Sequence, residues 1–163
     1  MDKLSKSFVA LASIGILVAI YHGYDEVTNY SAPGATICNI NSFFSCGSVF
    51  SSGYTTFPPH GGLSLFVYGL IWFPLMLGLG LWFTGKRGGV NGVVMVPVLM
   101  VGNVFTIYLW YLELGVIHAL CPVCVSLYVL NYLMTAVCLV IALRQDRADS
   151  GPSPLGSDSN LPE

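Results

Sequence analysis

Charge is the scarcest ingredient of this chain. Asp, Glu, Lys and Arg together make up 9% of its 163 residues, against roughly a quarter in an ordinary soluble domain. Lys and Arg are missing from residues 7–85 and again from 88–143. Net charge is -2 and there is no basic run or stripe, which argues against nucleic acid as a partner. No internal repeat is present. What fills the chain is apolar: 55% hydrophobic residues and 13% aromatics, with a mean hydropathy of +0.73. A soluble fold this small could not hide that much apolar surface. Disorder, which needs low hydrophobicity, is excluded for most of the length. The composition is that of a membrane protein.

Four apolar stretches are long enough to cross a bilayer, which takes about 20 helical residues. They run about 4–21, 63–83, 90–112 and 120–143. The spans must be helices, because lipid cannot satisfy open backbone groups and four segments are too few for a barrel. The expected fold is all-α: an antiparallel four-helix transmembrane bundle, residues 1–149, capped by a cysteine-bearing outer loop of about 25–62 that is partly helical. The tail 150–163 is rich in Gly, Pro and Ser and reads as disordered.

The six basic residues fix the orientation. Lys3 and Lys6 precede the first span, Lys86 and Arg87 separate the second from the third, and Arg144 and Arg147 follow the fourth. All fall on one side, which the positive-inside rule makes cytoplasmic, with both termini. The opposite side takes Asp25, Glu26, Glu113 and the three histidines. The N-terminus has the basic start and apolar core of a signal peptide, but Tyr21, His22, Asp25 and Glu26 intervene before any cleavage site, so it reads as a retained span. His22 and His60 read as interfacial histidines and Glu113 as a solvated end charge. His118, three residues before a cysteine, reads as interfacial or as a proton shuttle.

Four of the five cysteines share the non-cytoplasmic face, where disulfides persist. Cys121 and Cys124 form C-P-V-C at the outer mouth of the fourth span, and Cys38 and Cys46 form C-x7-C in the long loop. Cys138 lies 14 residues past Cys124, about 21 Å deeper, and reads as a small buried hydrophobe. Cysteines three apart at a helix start can pair, and Pro122 suits the first turn. Amides and the dipole there lower a thiol's pKa. The pair therefore reads as redox-active, with a structural disulfide or a four-thiolate zinc site as the competing readings. Phe43, Phe44, Phe50, Tyr54 and Phe57 are too apolar for a solvated loop. They suggest a flap over the bundle mouth that brings Cys46 next to Cys121 and leaves Cys38 facing outside. Two dithiols so placed can relay electrons by exchange. Tyr128 and Asn131 follow Cys124 at i+4 and i+7, on the same helical face. A phenol and an amide in an apolar span are groups that can hydrogen-bond a quinone carbonyl.

The ordered set Cys38-x7-Cys46, then V-F-S-S at 49–52, then C-x-x-C-x-x-x-Tyr-x-x-Asn at 121–131 resembles the vitamin K epoxide reductase family of four-helix membrane thiol oxidoreductases. The resemblance runs over residues 8–143. The bacterial quinone-linked disulfide oxidase also has four helices and four cysteines, but carries its C-x-x-C in the first outer loop. The resemblance implies that Cys124 is the thiol beside the quinone ring, that Cys121 exchanges with Cys46, and that Cys38 exchanges with a thioredoxin-like partner. It implies a quinone pocket supported by Phe50, Ser52 and Tyr128, and Asn131 matches a family asparagine one turn below that tyrosine. Vertebrate members place an asparagine at the head of the second span to hold a quinone oxygen; this chain has none between Asn41 and Asn91, and Ser64 is the candidate substitute. That departure favours plain quinone reduction over epoxide chemistry.

The expected function is electron transfer from a reduced thioredoxin-like protein through Cys38/Cys46 and Cys121/Cys124 to a membrane quinone (menaquinone, ubiquinone or vitamin K-like), with no metal, making disulfides for exported proteins. Many bacterial members carry a fused thioredoxin-like domain. Here the tail is too short for one, so a separate partner is expected. No endoplasmic-reticulum lysine retrieval signal closes the chain, so a prokaryotic plasma membrane is expected. The alternatives are an epoxide reductase using the same thiols, and a non-catalytic scaffold stapled by static disulfides.

Overall fold

A computed structural model describes residues 3–31, 38–59, 61–87 and 89–149. The tail 150–163 and His60 lie outside the described residues. Helix α1 spans Lys3–Ser31, the short α2 Cys46–Phe50, α3 Leu65–Arg87, α4 Gly92–Tyr111 and α5 Pro122–Asp149; strands β1 (Thr56–Phe57) and β2 (Leu63–Ser64) form a small antiparallel hairpin. A π-helical turn, Leu112–Ile117, prolongs α4. Among the described residues, four segments are long and apolar enough to span a membrane: Lys3–Thr28, Leu65–Lys86, Gly92–Ile117 and Pro122–Ala148. The fold is a four-helix transmembrane bundle, as the hydropathy pattern requires.

The helices bury little of their surface because lipid, not water, surrounds them. Leu17, Val101, Val104 and Leu143 point outward at no cost in an apolar solvent. α1 packs on α3 and α5, and α4 packs on α5, while α3 and α4 barely meet. The interior of the bundle is one apolar cluster around Phe8, Phe73, Met76, Met95, Leu99 and Met134, with Cys138 fully buried in it. Close approach explains Gly92, where a Cβ would meet the backbone of Cys138 and Ala142; small residues are what let membrane helices touch. A second cluster, at the other end, encloses Cys38, Cys46, Cys121 and Cys124 with Val49, Leu109, Leu112 and Tyr128.

Two boundaries differ from those the hydropathy predicts. α1 does not stop near residue 21 but continues to Ser31, so Asp25 and Glu26 belong to a helix and not to the outer loop. Apolar length marks where a span leaves the hydrocarbon, and a helix with polar residues can continue beyond it. The third span likewise continues through its π-helical turn to Ile117. The loop before Cys121 shrinks to a tight link that begins at His118, which holds a left-handed conformation with φ 56°.

Candidate redox site

The loop between α1 and α3 holds its cysteines by backbone capping. Asn41 Oδ1 accepts from the amides of Phe43 (2.9 Å) and Phe44 (2.7 Å), the turn that asparagine favours. Ser45 caps α2, its hydroxyl accepting from Ser48 N at 3.1 Å, and Asn39 Oδ1 accepts from Gly47 N at 2.9 Å and from Ser45 Oγ at 3.0 Å. The flap is then tied to the head of α5: Leu120 N donates to Phe43 O at 2.7 Å and Ser45 N to Leu120 O at 3.0 Å, with Phe44 bridging Leu120. That register sets Cys46 against Cys121.

The sulfurs form a chain. Cys38 and Cys46 are joined in a disulfide, and Cys121 and Cys124 are free thiols. Cys46 Sγ lies 3.4 Å from Cys121 Sγ. Cys121 caps α5, its sulfur accepting from Cys124 N at 3.3 Å. Burial pushes the Cys121 thiol up, but hydrogen bonds with Cys124 and His22 and the charge of His22 outweigh it and hold the thiol down at about 6. It is therefore largely thiolate at neutral pH, the nucleophilic form.

α1 supplies what the sequence reading missed. His22 is not interfacial. It is 3% exposed, its Nε2 lies 3.1 Å from Cys124 Sγ, and its other ring nitrogen is buried without a partner. One turn on, Asp25 Oδ2 lies 2.9 Å from Cys38 Sγ. Glu26 accepts a short hydrogen bond from Ser64 Oγ. Glu113 is not a solvated end charge either: it is buried and accepts from Tyr128 OH at 2.9 Å. Cys38, expected to face outside, is 7% exposed. The spacing that would have found the α1 residues is present: His22, Asp25 and Glu26 lie at i, i+3 and i+4, and the first proline after the span is Pro33.

Cys124 opens on a narrow cavity of about 20 Å³ lined by His22, Glu26, Phe50, Tyr54, Glu113 and Tyr128, among others. It has room for about one water. A much larger cavity, about 350 Å³, lies in the gap between α3 and α4, lined by Phe57, Tyr68, Trp72, Phe105, Tyr128 and Asn131 among others. Tyr128, Leu65 and Leu109 line both. Of the predicted pocket residues, Phe50 stands edge-on to His22, ring centroids 5.5 Å apart, and Tyr128 divides the cavities. Asn131 lies deeper, accepting from Trp72 Nε1 at 3.0 Å and donating to Asn103 Oδ1 at 2.6 Å. Ser52 donates to Val49 O at 2.6 Å, closing the turn after α2, and Ser64 is engaged with Glu26; neither lines the two cavities. His118 is bonded to Leu114 O, 2.8 Å away, on the exposed side.

Among the described residues, two groups have metal-ligand geometry: His22, Cys121 and Cys124, and Asp25, Cys38 and Cys46, the donor atoms of each within 4.8 Å of one another. The second has its sulfurs committed to a disulfide. The first is also what a thiolate and its proton acceptor would look like.

A ladder of sulfurs at the mouth of a four-helix membrane bundle, one pair closed and the other open, is the arrangement of a membrane thiol oxidoreductase. The family model described as "Vitamin K epoxide reductase family" matches residues 6–139, most of the chain. Members of this family are membrane oxidoreductases that use thiols and quinones. The chain belongs to the vitamin K epoxide reductase family.

Proposed function

We propose that this protein carries electrons from a reduced thioredoxin-like protein, through Cys38/Cys46 and then Cys121/Cys124, to a membrane quinone. Residues 1–149 form the catalytic unit. The cysteines face the extracytoplasmic side of a prokaryotic plasma membrane and both termini the cytoplasm, and the product is disulfides in exported proteins. The observation that carries the reading is the 3.4 Å approach of Cys121 Sγ to the Cys46 sulfur of a closed disulfide.

The steps balance. A partner thiolate attacks Cys38 and Cys46 leaves as a thiolate beside Cys121. Cys46 attacks Cys121 of the oxidised inner pair, and Cys124 leaves. The partner's second thiol releases Cys38, which closes on Cys46 and frees Cys121. Two electrons and two protons have reached the inner pair, and the partner holds a disulfide. The state with Cys38–Cys46 joined and Cys121 and Cys124 open follows this exchange and precedes electron delivery. His22, cationic while it faces the Cys121 thiolate, passes on its own proton and then that of Cys124 as the inner pair closes, so two electrons and two protons go to the quinone.

The cavities fit a quinone in a particular way. The larger one is apolar and lies where α3 and α4 leave the bundle open to lipid. The pocket at Cys124 is too small for a ring, so Phe50, Tyr54 or Tyr128 must move for a ring to reach the sulfur. Tyr128, bonded to Glu113 and facing both cavities, is the group to hold a quinone oxygen. Asn131 supports the larger cavity, and Ser52 and Ser64 act through the flap and hairpin that shape the site.

The test is anaerobic quinone reduction by purified protein. Cys124→Ala abolishes it with any donor. Cys38→Ala abolishes it with a thioredoxin-like donor but not with a small dithiol able to reach Cys121 and Cys124. Equal loss of both activities in Cys38→Ala would sink the ordered relay.

A further inference from the structure

Cys38 does not stand alone at the outer end of the relay. Asp25 Oδ2 lies 2.9 Å from its sulfur, and both residues are more than nine-tenths buried. A sulfur in a disulfide has no proton to give, so a hydrogen between these atoms belongs to the carboxyl. Once Cys38 is reduced, the thiol can give it instead.

We infer that Asp25 is the acid–base catalyst of the outer exchange, holding the proton that Cys38 takes up as it leaves the partner and gives back as it attacks Cys46. The inference rests on the relay proposed above. When the partner's second thiol breaks the partner–Cys38 bond, Cys38 departs with the electron pair and the Asp25 proton follows it. When Cys38 then attacks Cys46, its proton returns to Asp25, the new S–S bond forms and Cys121 leaves with the electrons. The carboxyl ends each cycle as it began, and no outside reductant is required beyond the partner.

Asp25 suits the part because α1 carries it past the apolar span to the level of the flap. Tyr21 and His22 on α1, Cys38 on the loop and Cys46 at the head of α2 are titratable groups that the structure sets near it. Residues 32–37 contain no ionisable side chain, and no Lys or Arg occurs anywhere from 7 to 85. Among the described residues, the imidazole of His22, one turn away, is the group that offsets the carboxylate. α1 thus sets a proton-carrying side chain against each dithiol, Asp25 at Cys38 and His22 at Cys124.

The experiment follows reduction of the Cys38–Cys46 disulfide by a thioredoxin-like dithiol protein, without quinone, with alkylation and mass analysis of quenched samples. Asp25→Asn slows release by about a hundredfold, within the range of a lost acid–base group, and the partner–Cys38 mixed disulfide accumulates. Asp25→Glu returns most of the rate. The wild-type reaction itself slows in D2O, so the test stands even if Asp25→Asn does not fold. A wild-type rate unchanged in D2O, or an Asp25→Asn chain that exchanges at the wild-type rate without trapped intermediate, overturns the inference while leaving the relay intact. A wild type that exchanges with no such donor overturns both.

Discussion

In the proposed relay Cys121 is the residue on which the chemistry turns, and its environment makes a prediction about pH. Its thiol sits at about 6 although it is fully buried, because Cys124 and His22 stabilise the thiolate more than burial penalises it. The thiolate fraction, and with it the alkylation rate of Cys121 in the reduced protein, is expected to hold from pH 8 to 7 and fall as pH drops through about 6. His22→Ala removes one stabilising partner and moves that midpoint upward. Mass-resolved alkylation across pH checks both. Glu113 and Tyr128 make a second prediction. Glu113→Gln keeps an acceptor for the buried Tyr128 hydroxyl, whereas Glu113→Leu strands it. An unpartnered buried hydroxyl costs about 1–3 kcal/mol, so Glu113→Leu is expected to melt lower in detergent than Glu113→Gln.

Secondary-structure elements decide whether the sulfurs meet. The flap reaches α5 through two backbone hydrogen bonds around Phe44 and Leu120, and one of them uses the Ser45 amide. In a Cys38→Ala, Cys124→Ala chain the remaining Cys46 and Cys121 are expected to cross-link under mild oxidation. Ser45→Pro, which removes the donor amide, should lower that yield several-fold in a non-reducing gel. The helices and the flap were legible in the sequence because both rest on strong, local cues: uninterrupted apolar length, and aromatics too apolar for a loop. The approach of Cys46 to Cys121 was legible because C-P-V-C suits a helix start at the bundle mouth and the aromatic flap could cover that mouth. The α1 contribution was not read, since hydropathy is silent once a helix leaves the hydrocarbon. His22, Asp25 and Glu26 look like ordinary loop polar residues until helical spacing is carried past Tyr21. Glu113 was missed for a related reason: a carboxyl at a span end reads as solvated, and only the π-helical turn of the chain folds it inward onto Tyr128.

At the scale of the whole molecule, the bundle keeps two functions apart. Its lower half is an apolar core with Gly92 packed on the backbone of α5. Its upper half surrounds the cysteines, and the gap between α3 and α4 leaves a lipid-side cavity next to Tyr128. Gly92→Val overpacks the first half and is expected to cost about 1–3 kcal/mol of stability without touching a sulfur. The central claim concerns the second half, and a single turnover tests it most directly. Protein is prepared with Cys38–Cys46 joined and Cys121 and Cys124 as thiols, then mixed anaerobically with one equivalent of quinone. The account predicts one equivalent of quinol and a new Cys121–Cys124 disulfide, with Cys38–Cys46 unchanged and no reaction in Cys124→Ala. Quinone left oxidised while both thiols remain free would contradict it.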